Sequence, residues 1–590
     1  MGIKDTVSAA RVLFDCMILE KPDFARIAHT PSKTKLLSPE NDPFFPTAEP
    51  EEAGLDGEKL LAFLKEASET KIGNVHSIVV LSHGKCVLEA AKTGYAVNMP
   101  HATFSMCKTL TGIAVGILID EGKISLTSPI ISFFPEYKAR LARTKHGQLR
   151  IFHLLEMSTG NPFNEAGVVA SENYLQSYFE TSLRTEPGST FAYNSMNSYI
   201  LSSIVTRVAG CSLTEFLTER IFAPLAISSH FWELSSEGVE KGGWGLYLST
   251  RAMAKIGQLF VNRGVWEGKR IISKSFLDMM TKKHMPVPAS IGAFNYGYHI
   301  WCHKKNGGIL LNGMLGQNVW ILPERELVVA ITAGDDCIFQ DSPPLVSAMR
   351  HLQRGIPHDT EEAKAERQHL IAHFGEKASL TPPYISEESR EAEESLLPLL
   401  SGKTFVADQN NSGILPLMVR LIQNAPSKGI GTFVLQKGEA ENTLIFAFTE
   451  GRAIYRIKAG NTRFLASAHR VHGEPYRFTA AYSFGMNEER EPYLSLEIRF
   501  PALASSRRVL FAVSTDGKIV MKMSEKPGYA FVEKLTRAAP ADENALLGVL
   551  TRSKAPIDLA LKYAKRAFAP TIALTPANLI KKAKKTQMPE

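Results

Sequence analysis

The rhythm of apolar and polar positions along the 590-residue chain changes several times, and each change marks an element. EEAGLDGEKLLAFLKEASET (51–70) puts acids first, lysines later and Leu60, Leu61 and Leu64 at helical spacing, which predicts an amphipathic helix. HSIVVLSHGKCVLEA (76–90) then gives two β-rich runs around a His-Gly turn, a hairpin. Far downstream, YGYHIWCHKKNGGILLNGMLGQNVWILPERELVVAITAG (296–334) supplies three or four more short strands with tight turns. The sequence between these β blocks is mostly helical and loop-rich. The pattern predicts one α/β (α+β) domain at about residues 50–355, its antiparallel sheet assembled from both ends and its faces covered by helices.

Residues 1–49 read as a mixed leader ending in the proline-rich SPENDPFFPTAEP, a connector wrapped on the surface. Residues 356–401 are dense in charge and read as a linker. From 402 to 540 short alternating runs return (TFVLQ, TLIFAFTEG, YLSLEIRF, RVLFAVST, KIVMKM), predicting a separate antiparallel barrel or sandwich. Residues 541–590 read as a basic helical tail ending in LIKKAKKTQMPE, a solvated helix face in its simplest reading. No period repeats, which argues against a solenoid.

Composition narrows the function classes. With 44% hydrophobic and 22% charged residues the chain has an ordinary globular make-up, and a net charge of +7 gathered near the C-terminus gives no support to nucleic-acid binding. Six scattered cysteines without a C-x-x-C pair point to reduced thiols and a cytoplasmic setting. The N-terminus lacks the pattern of a signal peptide, and the longest apolar run, 110–119, is too short to cross a bilayer, so no stable membrane insertion is expected.

One short stretch carries chemistry. HATFSMCKTLTGIAVGILIDEGK (101–123) contains Ser105 and Lys108, three positions apart at the mouth of an apolar helix that ends in a polar exit and Gly122. S-x-x-K alone is weak, since roughly two or three chance matches are expected in such a chain. A second match, Ser32 to Lys35, lies in a polar stretch. At 105–108, however, the lysine sits one turn after the serine on the same face of a helix that should be buried. Desolvation and the positive helix end both favour a neutral amine there. A neutral amine beside a serine hydroxyl is a general base, and free backbone N–H groups of the first helical turn suit a developing oxyanion.

With FSMCK and its helix, the runs IDEGKISLTSPI, HLLEMSTGN (153–161), PGSTFAYNSMNSYIL (187–201) and GGWGLYLSTRAMAKIGQLF (242–260) resemble the serine β-lactamase and penicillin-binding-protein superfamily. Within it they are most similar to the esterase and 6-aminohexanoate-dimer hydrolase branch, over about residues 50–340. The resemblance implies a five-stranded antiparallel sheet with a helical subdomain, and an acyl-enzyme mechanism without cofactor or metal. It implies Ser105 as nucleophile, Lys108 as its base and Tyr193 as the group that passes a proton to the leaving group. In Tyr193-Asn194-Ser195 the asparagine stands second rather than third, so its usual substrate contact at Asn194 is open. The edge-strand motif, K-T-G or H-x-G in the family, reads Leu311-Asn312-Gly313, with Gly313 admitting substrate and the Met314 N–H as second oxyanion donor. Leu311 removes the cation that grips a substrate carboxylate, which argues for esters or amides lacking one.

Other readings stand beside these. Tyr193 also fits a core tyrosine, and Asn312-Gly313 a plain hairpin turn. His299, Cys302 and His303 suggest a metal, yet on one strand the histidines are about 13 Å apart, too far to share an ion, so packing is expected. Cys107 reads as packing, turned away from the Lys108 face. The expected function is a serine hydrolase acting on a small-molecule ester or amide, with homo-oligomerisation open. The rivals are a catalytically idle binding module on the same fold, and a D-Ala-D-Ala peptidase or β-lactamase.

Overall fold

A computed structural model describes residues 31–69, 73–163, 168, 171–288, 292–338, 342–375, 386–408, 411–423, 425–514, 517–538 and 554–578. They form two compact units, one built on Leu37–Gly375 and one on the described parts of Ser8–Leu36, Glu376–Ala541 and Leu546–Glu590. Most of the expected leader and much of the expected basic tail lie outside the described residues.

In the first unit, α1 (Gly57–Ser68) starts where Asp56 accepts the Lys59 N–H and buries Leu60, Phe63, Leu64 and Ala67. The hairpin of β1 (Val75–Ser82) and β2 (Lys85–Ala91) turns at His83 and Gly84, both at positive φ. Helices α2 (Lys108–Asp120), α3 (Ser195–Ala209) and α4 (Thr250–Val261) follow. Strands β3 (Phe294–Tyr296), β4 (Trp301–His303), β5 (Ile309–Gly313), β6 (Gln317–Leu322) and β7 (Leu327–Ala333) complete an antiparallel sheet ordered β2-β1-β7-β6-β5-β4-β3. The sheet thus has the five expected strands plus the three-residue strands β3 and β4 extending one edge.

Alternation sorts the faces. Ile78, Val80, Trp320, Leu322, Val329 and Ile331 share a core with α1 and with α5 (Pro343–Leu352). On the opposite face, Val319 and Val328 meet α4 at Gly257, where a Cβ would fall 2.5 Å from Val328. Strands β1 and β7 are buried along their whole length, which explains their unbroken apolar runs.

The charge-dense run departs from the expected linker. Its first part is α6 (Glu361–Ala372), which packs on α1 and buries Arg367 in a bidentate pair with Asp359 at 2.7 and 2.6 Å. The leader is likewise more than a surface wrap, because Glu40 is buried, takes the Ser249 hydroxyl and donates its N–H to the Asn98 carbonyl.

The second unit opens with α7 (Glu387–Leu400), whose Ala392, Leu396 and Leu400 form one buried stripe. Strand β8 (Thr404–Ala407) and helix α8 (Leu417–Gln423) come next. Then follow β9 (Ile430–Lys437), β10 (Thr443–Glu450), β11 (Ala453–Asn461), β12 (Leu465–Val471), β13 (Glu474–Met486), β14 (Pro492–Arg499), β15 (Ser506–Val513) and β16 (Ile519–Lys526). The parallel pairing of β11 with β13 closes a nine-stranded barrel, with β12 lying along the first half of β13. Phenylalanines fill it, Phe433 stacking on Phe511 at 4.4 Å.

The ninth barrel strand corrects the expected tail. After α9 (Lys554–Phe568), β17 (Thr571–Pro576) pairs with β8 on one side and β16 on the other, burying Ile572 and Leu574. The β domain therefore does not end at 540; TIALTP alternates like its neighbours and closes the ring.

Among the described residues no single helix is long and apolar enough to cross a membrane. One bent pair, Ser195–Ala209 with Leu213–Phe222, passes only jointly.

Candidate active site

The site is built where α2 begins. A 3-10 turn, Phe104–Cys107, runs directly into α2, so Ser105 and Lys108 occupy successive turns of nearly continuous helix. Phe104, just before the serine, holds φ +49°, a left-handed conformation that is strained for a bulky residue. The turn is fixed from below, since the N–H and hydroxyl of Thr103 both donate to the Leu246 carbonyl at 2.9 Å.

Lys108 is 1% exposed and points at oxygen on three sides. Its Nζ lies 2.8 Å from Ser105 Oγ, 2.7 Å from Ser195 Oγ and 2.8 Å from the Gly243 carbonyl. Among the described residues no carboxylate pairs with it. The Tyr193 ring centroid is 4.9 Å from Nζ, and the ring stacks on Trp301 at 5.8 Å with its edge toward Tyr296. Three side chains and one backbone carbonyl, from three parts of the sequence, therefore converge on one buried nitrogen.

Ser195 is the residue the sequence reading passed over. It opens α3, and the neighbouring Asn194 caps that helix by accepting the Met196 N–H at 2.9 Å. The Asn194 amide donates to the carbonyls of Asn161 and Phe163 at 2.9 and 2.8 Å, and the residue is 3% exposed. Both ends of the Asn194 amide thus serve the protein, and the position facing Lys108 is Ser195. The other missed group is Gly243. A Cβ there would lie 2.6 Å from the Ser195 carbonyl, so only glycine lets the loop bring its own carbonyl to Nζ. Its legible trace was the Gly242-Gly243 pair beside a tryptophan.

Asn312 and Gly313 end β5 against the nucleophile turn. The Asn312 amide donates to Asn318 Oδ1 across the hairpin at 2.7 Å. Gly313 abuts the Thr103 carbonyl, with 2.2 Å between that oxygen and a Cβ built on the glycine. Met314 begins the short turn to β6, and Leu311 is 1% exposed.

Two neighbouring groups, Cys107 and His299, are held neutral by burial. The Cys107 thiol is pushed up to about 12 and contacts the Gly242 carbonyl at 3.5 Å. His299 is lowered to about 3; it binds Ser198 Oγ at 2.8 Å and the Leu155 carbonyl at 3.0 Å. It sits at φ +57° before β4, not on a strand with His303, and its ring nitrogens are taken up by the core.

Comparison with known proteins relates part of the chain to a known family. Residues 74–336 match the family model described as Beta-lactamase. This segment, somewhat under half of the chain, has the β-lactamase-like fold shared by serine β-lactamases and penicillin-binding proteins. The 6-aminohexanoate-dimer hydrolase of Paenarthrobacter ureafaciens is 27% identical over 281 residues, 43% of this chain and 71% of that protein. Protein flp of Staphylococcus aureus (strain MW2) is 25% identical over 164 residues, 25% of this chain and 33% of that protein. Among solved structures, a family VIII carboxylesterase superposes with a TM-score of 0.41 at 16% identity, covering 52% of this chain and 99% of that one.

Proposed function

We propose that the first unit is a serine hydrolase that forms an acyl-Ser105 intermediate on a small ester or amide. The observation that carries this reading is the 2.8 Å approach of Lys108 Nζ to Ser105 Oγ in a buried setting where, among the described residues, the nitrogen meets neutral oxygens. Acting as the base, the Lys108 amine keeps two N–H bonds on Ser195 Oγ and the Gly243 carbonyl and turns its lone pair to the Ser105 hydroxyl proton.

As Ser105 Oγ bonds to the substrate carbonyl carbon, its proton passes to Nζ. The oxyanion is received by backbone N–H groups at the Ser105 turn and at Met314. Collapse breaks the bond to the alcohol or amine, which leaves with a proton delivered through Tyr193. Water then repeats the sequence on the acyl-enzyme. Leu311 supports a substrate without a carboxylate at that subsite, since no cation stands on the strand there. Free thiols at Cys86, Cys107, Cys211, Cys302 and Cys337 support a reducing, cytoplasmic setting.

A panel of short acyl esters, acyl amides and a chromogenic cephalosporin, run against wild type and Ser105→Ala, tests the reading. Ester or amide turnover abolished in the variant is expected. Cephalosporin turnover alone would favour a β-lactamase, and an inert wild type would favour a binding module.

A further inference from the structure

The turn that carries Met314 is held by a side chain outside every motif considered so far. Met314, Leu315 and Gly316 connect β5 to β6 between the paired residues Gly313 and Gln317. Leu315 (φ +64°) and Gly316 (φ +90°) are both left-handed, a conformation a leucine does not choose alone. The cost is offset by hydrogen bonds at both Leu315 peptide groups. Its N–H donates to the Cys337 carbonyl at 2.9 Å, and its carbonyl accepts the Asp335 N–H at 3.0 Å.

The third bond comes from Gln317, which is wholly buried. Its Nε2 donates to the Leu315 carbonyl at 3.0 Å and to the Ala333 carbonyl at 2.7 Å, while its Oε1 accepts the Ala333 N–H at 3.3 Å. Backbone pairing of β6 with β7 ends at Asn318 and Ile331. Two residues on, the glutamine side chain replaces the missing strand, satisfying Ala333 as a peptide would and using its second N–H to grip the turn.

We infer that Gln317 is a positioning residue for acyl transfer: its amide locks the Leu315 peptide and thereby fixes the Met314 N–H against the Ser105 turn. This rests on the acyl-enzyme reading above. A donor preset toward the position where negative charge develops acts on the transition state, and losing its alignment costs rate more than ground-state binding. Gln317→Met, close in volume but without donors, is expected to lower kcat for ester hydrolysis on the order of 10- to 100-fold. KM should stay within about twofold and the pH profile unmoved, because the lysine–serine pair is untouched.

Hydrogen–deuterium exchange over 309–322, followed by mass spectrometry, separates the two layers of the claim. Faster exchange at this turn in Gln317→Met together with the kcat loss is the expected result. Unchanged exchange overturns the clamp, and faster exchange with unchanged kcat overturns its role in positioning. If wild type neither turns over esters nor labels at Ser105, the acyl-enzyme reading falls while exchange still decides the clamp. Gln317→Leu, which likewise lacks donors and buries no charge, serves if the methionine variant misfolds. It should reproduce the kcat loss.

Discussion

Replacing Gly313 with alanine tests whether the end of β5 must touch the nucleophile turn. The glycine has φ −122°, so alanine meets no backbone strain and its effect comes from contact alone. A Cβ would sit 2.2 Å from the Thr103 carbonyl and 3.3 Å from the Met106 nitrogen. Ordinary C···O approaches begin near about 3.3 Å, so strand and turn must part by roughly 1 Å. Both partners are backbone held by neighbours, which leaves no flexible side chain to absorb the shift. A displacement of that size at reacting groups costs on the order of 100-fold in rate, and overpacking of this kind about 1–3 kcal/mol of stability. The assay is the rate of fluorophosphonate labelling with a thermal melt of the same sample. A folded Gly313→Ala protein that labels within twofold of wild type would refute the argument that the strand end and Ser105 form one site.

Three further outcomes follow from the same geometry. Ser195→Ala removes one of the three partners of Lys108 and should lower kcat/KM for esters about 10- to 100-fold without unfolding, since a buried hydrogen bond of this type is worth ~1–3 kcal/mol; an unchanged value would show that Ser195 is packing only. Glu40 is raised from 4.5 to about 7 by burial, and its Oε2 has no hydrogen-bond partner among the described residues. Between those pH values the folded chain keeps a proton that the unfolded chain has released, so stability falls as pH rises through the window, by up to about 3 kcal/mol. Glu40→Gln should flatten that decline in chemical denaturation from pH 5 to 8, and parallel curves would contradict the assignment. In the second unit, Arg507→Met takes from the buried Glu525 carboxylate its ion-pair partner at 2.7 Å and should cost about 3–5 kcal/mol; a variant as stable as wild type would show the pair to be dispensable.

The sequence was most readable where one element decides the matter. β1 and β7 announced themselves because both their faces are buried, and α2 because it is apolar nearly all round. Ser105 and Lys108 were legible because their contact is local, three residues apart on that helix. The other partners of Lys108 were not, because Ser195 and Gly243 arrive from 87 and 135 positions away and only the Gly242-Gly243 pair hinted at either. Asn194, whose role was open at a motif position, caps a helix, a role set by the Met196 N–H beside it. Arg367 hid the helix in the charged run, as a buried guanidinium looks like a solvated one until its Asp359 partner is seen. Strand β17 was masked by the helix before it, a six-residue run whose partners lie far upstream.

The central claim is that the hydroxyl of Ser105 is activated by the amine of Lys108. Intact-mass and peptide-mapping analysis after fluorophosphonate treatment tests it most directly. Wild type should gain one adduct on the peptide containing Ser105, and both Ser105→Ala and Lys108→Met, each shown to be folded, should gain none on the same timescale. An adduct on another residue, or labelling of Lys108→Met at the wild-type rate, would contradict it.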